Sequence, residues 1–195
     1  MPKFKLLITL LNLPRLLLHL LVFSLCYKKC EDDVRANMEH HGITGSITMG
    51  YLYLLVFDKC YRTLFYWRIG NIKYLIYYWL PPHPCFTLAT NMSMVGGIKL
   101  IHPFSTIINA NSIGKNFVVR NNVTIGNNRD GERPVIGNDV IVNANAVVVG
   151  DIAIGNNVII GAGAVVTKSI PDNCVVVGNP SYILKENGVI VKRPL

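Results

Sequence analysis

Paired cysteines are what this chain of 195 residues most plainly lacks. Its five cysteines (Cys26, Cys30, Cys60, Cys85 and Cys174) form no Cys-x-x-Cys pair and leave an odd number. That argues against a metal or redox motif and against a disulfide framework, and favours reduced, buried thiols in a cytoplasmic setting. No metal is expected. The neighbours His40-His41 do not alter this, because no carboxylate or cysteine stands at ligand spacing, and they read as a solvated pair. Long apolar runs are missing too. Residues 1–30 are basic and leucine-rich, but Asn12, Pro14, Arg15 and His19 break the run, and no small-residue cleavage site follows. A spanning helix wants about twenty uninterrupted apolar residues, and a secretory leader wants the cleavage site. Without a leader, the glycosylation sequons at Asn91 and Asn122 carry little weight. Acidic residues are scarce, 11 against 19 Lys and Arg, giving a net charge of +8 and a pI near 9.3. The surplus suits nucleic acid, an anionic membrane surface or a phosphate-bearing cofactor. The cations are dispersed and fit no zinc-finger or helix-turn-helix pattern, so nucleic acid is not expected as a partner.

What the chain does have is apolar mass, 51% of its residues, enough for one sizeable core or two small ones. From Val95 to Val166 an apolar residue recurs every sixth position: Val95, Ile101, Ile107, Ile113, Val119 and Ile125, then Ile136, Val142, Val148, Ile154, Ile160 and Val166. Helices need spacings of three and four, and a simple strand needs two. A sustained period of six, with β-branched residues and adjacent glycines, predicts a parallel β-helix with glycine or asparagine at its corners. Three short strands make a coil, so the ladder supplies roughly four coils. Between Ile125 and Ile136 the spacing is eleven, which predicts a polar loop over Asn127–Pro134. Pro171 and Pro180 are expected to end the repeat and fold a basic tail back along it.

Before the ladder the pattern is helical. Leu6, Leu10, Leu13, Leu17 and Leu20 predict one or two helices bent near Pro14. They form either a subdomain that packs its leucines or a surface that attaches to a membrane. Glu31-Asp-Asp33 predicts a helix start, with the helix running to Gly42. Residues 50–80 are dense in Tyr, Phe and Trp with Arg62, Arg68 and Lys73 among them, a packed core or an interfacial belt. Pro81-Pro82-His83-Pro84 ends the region. The expected organisation is mainly β: an α-helical N-terminal domain over 1–80, a left-handed parallel β-helix of hexapeptide repeats over 86–185, and a tail over 186–195.

Phase separates packing from chemistry. Val140, Ala146, Ile152, Val158, Ala164 and Ile170, four places after ladder residues, are expected to point inward. His102 follows Ile101, at a corner where other repeats carry glycine, and is expected to project outward, either as a reactive imidazole or as a solvated corner residue.

The motif Gly97-Ile-Lys-Leu-Ile-His102, the hexapeptide ladder, Pro134-Val-Ile-Gly137 and Ile160-Gly-Ala-Gly-Ala-Val-Val166 together resemble the left-handed β-helix acyltransferases. Tyr66-Trp-Arg-Ile-Gly70 and Val177-Gly-Asn-Pro180 are similar to the serine acetyltransferase group within them. The resemblance covers roughly residues 60–185. It implies an acetyl-CoA-dependent O-acetyltransferase, a trimer or a pair of trimers, with active sites in grooves between prisms and no metal. His102 matches the family's general base. Asn143-Ala144 and Gly161-Ala162-Gly163 match the small-residue coils that carry the pantetheine arm. Lys168 is the candidate phosphate contact, with Lys192 and Arg193 behind it. The chain also departs from the serine enzymes. Ile101 and a position near Thr87 stand where that group has aspartates, and Arg133 falls nearest its further loop histidine. The helical domain is shorter as well. Arg133 and Glu132 are the candidate acceptor contacts, with Asp130 as another carboxylate. The resemblance implies L-serine as acceptor; the missing aspartates favour a sugar hydroxyl on a surface or capsular polysaccharide precursor; and a non-catalytic β-helix scaffold is the third reading.

Overall fold

The computed structural model describes residues 3–128 and 131–195 and divides into two compact units, 1–84 and 85–195. In the first, five helices follow one another: α1 (Lys3–Leu11), α2 (Leu13–Leu25), α3 (Tyr27–His40), α4 (Ile47–Phe57) and α5 (Lys59–Ile69). The leucine run breaks at Asn12, with Pro14 in the first turn of α2, where its missing N–H costs nothing. The expected start at Glu31 is overturned. The helix begins at Tyr27, and Glu31 lies inside it, bonded to Arg35 at 2.6 Å. Ser46 caps α4, and the Asp58 carboxylate caps α5 by accepting from Cys60 and Tyr61 N–H at 2.8 and 2.9 Å.

Aromatic rings form the centre of this unit. Phe23 stacks on Tyr51 at 3.9 Å between centroids, and Phe65 meets the same tyrosine edge-on at 5.1 Å. The aromatic stretch divides between a packed part and an exposed part. Tyr51, Tyr53, Tyr61, Phe65 and Tyr66 are buried, whereas Tyr74, Tyr78 and Trp79 face outward. Buried polar groups lock the packing. Arg68 holds Asp33 through Nε–Oδ2 and Nη2–Oδ1 contacts of 2.7 and 3.2 Å. His19 lies between the Arg15 carbonyl and the Tyr66 hydroxyl, which also donates to the Leu80 carbonyl. His41 is exposed, as expected, and its Nε2 also meets the Asp58 carboxylate at 3.1 Å. Burial pushes the Cys30 and Cys60 thiols up to about 12, whereas Cys85 is exposed.

The second unit is a left-handed parallel β-helix with three faces. The first face stacks Phe86–Leu88, Thr106–Ile108, Thr124–Gly126, Val147–Val149 and Val165–Val166. The second stacks Ser93–Met94, Ser112–Ile113, Val135–Ile136 and Ala153–Ile154, with Ile170 bridged to Ile154. The third stacks Lys99–Leu100, Val118–Val119, Ile141–Val142, Ile159–Ile160 and Cys174–Val177. Five strands on two faces make about five coils, one more than the ladder alone indicates, because a coil begins at Phe86 and another closes at Val177. Nor does Pro171 end the repeat. Cys174–Val177 still pairs in parallel with Ile159–Ile160, and only then do Tyr182–Glu186 and Val189–Pro194 add an antiparallel hairpin. The basic tail thus folds back on the last coil as the strand Val189–Pro194 of that hairpin.

From Ile113 onward the inward phase is as expected, and Val140, Ala146, Ile152, Val158, Ala164 and Ile170 are all buried. In the first coils it is one residue off. Val95 and Ile107 are 47% and 50% exposed, while Met94, Leu100 and Ile108 are buried. Leu100 and Ile108 stand eight positions apart and Ile108 and Ile113 five, so it is the five-residue step that shifts the inward phase by one. In a period-two strand, one residue exchanges inside for outside. The corners use residues that tolerate a left-handed backbone. Ser105, Asn122, Asn145 and Gly163 form one such column, with φ of 53°, 53°, 62° and 69°.

Candidate active site

His102 lies in the widened corner between the third and first faces. Where Val119 to Ile125, Val142 to Val148 and Ile160 to Val166 turn in six residues, Leu100 to Ile108 takes eight. The extra length precedes the left-handed Ser105, so His102 is lifted out of the ladder. It is exposed, has φ 50°, and its ring lies 6.2 Å from that of exposed Phe104 with the planes 25° apart. Its carbonyl accepts from Phe104 N–H at 2.7 Å, and Pro103 between them is buried. The imidazole thus projects from a tight, anchored turn. The reason differs from the one its phase supplied. Ile101 is not an inward residue here, and the corner is widened instead of glycine-like.

Backbone pairing carries this corner down the prism. Ile101 N–H donates to Val119, Arg120 to Val142, Asn143 to Ile160 and Gly161 to Val176, at 2.8–3.1 Å. Asn143-Ala144 and Gly161-Ala162 therefore turn the same corner two and three coils beyond His102. Gly163 N–H donates to the Ala144 carbonyl at 2.9 Å, and the Asn143 amide donates to the Ile160 carbonyl at 2.9 Å. Asn143 is thus committed to the corner itself, while the small side chains of Ala144 and Ala162 leave its outer surface low. An extended thiol arm could approach the backbone there, as the chemistry of pantetheine requires.

Arg133, Glu132 and Lys168 stand elsewhere. Arg133 is at the opposite edge of the first face, where that face turns into the second. Its Nη1 donates to the Asn91 side chain at 2.8 Å, the Asn91 carbonyl at 3.2 Å and the Asn109 side chain at 3.3 Å. The Asn111 amide donates in return to the Arg133 carbonyl at 3.0 Å. These bonds staple the loop across two coils and floor a pocket of about 600 Å³, lined also by Thr87, Thr90, Ile107, Asn127 and Gly131. Thr87 and Arg133, drawn together only by resemblance, share this pocket; His102 does not line it. Glu132 is half-buried beside it, and Asp130 lies outside the described residues. Nothing local distinguishes Asn91 and Asn109, which stand three places after Leu88 and one place after Ile108 and so share no repeat position. Lys168 turns the same edge further along. Its Nζ donates to the Leu195 carbonyl at 2.7 Å, in a pocket of about 500 Å³ shared with Pro180, Tyr182 and Pro194. The terminal hairpin, and not Lys192 or Arg193, supports it. Within one chain the candidates fall into two corners: His102, Ala144 and Ala162 on one, Arg133 and Lys168 on the other.

Residues 133–168 match the family model described as bacterial transferase hexapeptide (six repeats). Over 85 residues, 42% of the chain, it is 45% identical to the protein of Escherichia coli K12 named as a colanic acid biosynthesis acetyltransferase, WcaB, over 52% of that protein's length. It is 42% identical to a Staphylococcus aureus serine acetyltransferase over 40% of its length. The chain thus spans about half, or less, of the curated relatives it matches. The solved serine acetyltransferase of Neisseria gonorrhoeae superposes with a TM-score of 0.63 at 25% identity, over 86% of this chain and 69% of that one. Its serine complex superposes with 0.62 at 26%, over 85% and 71%. The fold and repeat are those of the left-handed β-helix acyltransferases. Within that class the likeness is to the serine acetyltransferase and WcaB type.

Proposed function

We propose that the protein is an acetyl-CoA-dependent O-acetyltransferase whose general base is His102 and whose acceptor is a sugar hydroxyl. The observation that carries this reading is the widened corner: an exposed imidazole at its head, with small-residue positions Ala144 and Ala162 below it. The bound thioester supplies an activated acetyl carbonyl. His102 takes the proton of the acceptor hydroxyl as that oxygen attacks the carbonyl carbon. A backbone N–H of the corner stabilises the tetrahedral oxyanion, whose collapse breaks the C–S bond and expels CoA as a thiolate that takes up the proton from His102. Because Arg133 and His102 stand on different corners, a neighbouring prism would complete the groove, which supports a trimer.

The sugar acceptor rests on what lines the Arg133 pocket. Amides, hydroxyls and a guanidinium pair well with hydroxyl-rich ligands, and no carboxylate is present among the described lining residues. The ammonium of free serine would want one. L-serine is the second reading, favoured by the serine acetyltransferase likeness. Release of CoA thiol from acetyl-CoA, measured with a panel of sugars beside L-serine, tests both. We expect turnover with a sugar and a loss of about 10²–10⁴-fold in kcat for His102→Ala, with the circular dichroism spectrum of the folded chain unchanged. Turnover retained in that variant removes His102 from the chemistry, turnover with serine alone removes the sugar, and no thiol release with any acceptor favours a scaffold.

A further inference from the structure

The first two helices carry their leucines on both sides. Leu16, His19, Val22 and Phe23 of α2 are buried against the unit, as a packed helix requires. Leu17, Leu18, Leu21 and Leu25 fall on the other side at spacings of three and four, and they are 63%, 50%, 59% and 76% exposed. In α1, Phe4, Leu7 and Leu11 are exposed with the same spacing. Seven large apolar side chains on two consecutive helices are far more than the isolated exposed leucine that any surface tolerates.

Charge says what covers them. Residues 1–30 contain Lys3, Lys5, Arg15, Lys28 and Lys29 and no aspartate or glutamate. Arg15 stands exposed near one end of the α2 stripe, and Lys28 and Lys29 stand exposed beyond the other. Lys5 is occupied by the Tyr53 hydroxyl at 2.6 Å. The first acid, Glu31, is bonded to Arg35. Pairing this stripe antiparallel with a second copy would set Arg15 against Lys28 and Lys29, like charge against like. An anionic lipid surface offers the reverse: acyl chains for the leucines and phosphates for the cations at the rim. Among the described residues no helix is long and apolar enough to cross a membrane. The 13-residue α2 is only about 20 Å long against a hydrocarbon core of about 30 Å.

We infer that α1 and α2 form an interfacial anchor that lies in the plane of an anionic membrane, with the Leu17–Leu25 stripe in the lipid and Arg15, Lys28 and Lys29 at the headgroups. This is independent of the proposed acetyl transfer. The test is co-sedimentation of the full chain with vesicles of phosphatidylcholine and phosphatidylglycerol (7:3), against phosphatidylcholine alone, with size-exclusion light scattering alongside. The intact chain should bind the anionic vesicles at least tenfold more strongly than the neutral ones and lose binding in high salt. L21Q/L25Q, at exposed positions, should reduce binding at least tenfold with an unchanged helical circular dichroism signal and an unchanged oligomeric state. K28E/K29E should reduce binding to the anionic vesicles alone. Failure of the intact chain to sediment with anionic vesicles overturns the inference. So does undiminished binding by L21Q/L25Q. A change of oligomeric mass in that variant assigns the stripe to a second copy and overturns it equally.

Discussion

The two units of this chain solve the same problem in opposite ways. The β-helix repeats one solution: an apolar residue every sixth position, a corner that accepts a left-handed backbone, and a strand that pairs with the coil on either side. Each coil is held by its neighbours, so stability is spread over many similar contacts. The helical unit repeats nothing. Its rings pack around Tyr51, and its buried polar groups, Asp33 with Arg68 and His19 with Tyr66, each occur once. A repeat tolerates local departures, and the widened corner at His102 is one. A unit built from single contacts tolerates them poorly.

The sharpest way to break that contrast is to remove Asp33. It and Arg68 have side chains only 2% and 8% exposed, so Asp33→Ala leaves a buried guanidinium without this carboxylate. We expect a loss of about 3–5 kcal/mol, because an uncompensated buried charge costs its desolvation. Both tryptophans of the chain, Trp67 and Trp79, belong to the helical unit, so tryptophan fluorescence during urea unfolding follows that unit alone. A shift below about 0.5 kcal/mol would mean that its apolar packing, like that of the coils, is redundant.

The same contrast explains what could be read from the sequence. The β-helix was legible because period six is a property of many residues together. The phase of its first coils was not. Val95, Ile101 and Ile107 continue the spacing of six and are β-branched, yet the eight- and five-residue steps on either side of Ile108 leave Val95 and Ile107 outward. Nothing in residue type separates an outward isoleucine from an inward one. His102 stood out as the one histidine of the repeat, whereas the partners of Arg133 did not. Asn91 and Asn109 lie 42 and 24 residues away in sequence and meet it only through the stacking of coils. In the helical unit, spacing indicated helices but not which aromatics would face inward, since Tyr66 and Tyr78 sit in similar surroundings along the chain.

A second, smaller effect concerns pH. Burial holds the His19 imidazole below its ordinary value, the Arg15 carbonyl opposing this and the Arg62 cation adding to it. The unfolded chain therefore takes up a proton more readily than the folded one. Stability from this group is complete above about pH 6.5 and declines as the pH falls below it. Tryptophan-monitored unfolding between pH 7.5 and 5 should show the decline, and His19→Gln should flatten it. A decline that survives in His19→Gln would assign it to another group.

The smallest expected effect belongs to the repeat. Asn122 adopts φ 53° and donates to the Asn145 side chain at 2.8 Å. Asn122→Ala removes the bond and leaves a residue with a poor left-handed preference, which should cost the β-helix about 1–2 kcal/mol. Asn122→Gly removes the same bond but restores the backbone preference, and Gly163 already occupies an equivalent place in this column. Glycine should therefore cost less than alanine, as read from the β signal in thermal circular dichroism. Equal losses would mean that the side-chain bond governs the corner. In that case each coil would depend on a particular partner, much as the helical unit does, and the distinction between the two units would narrow.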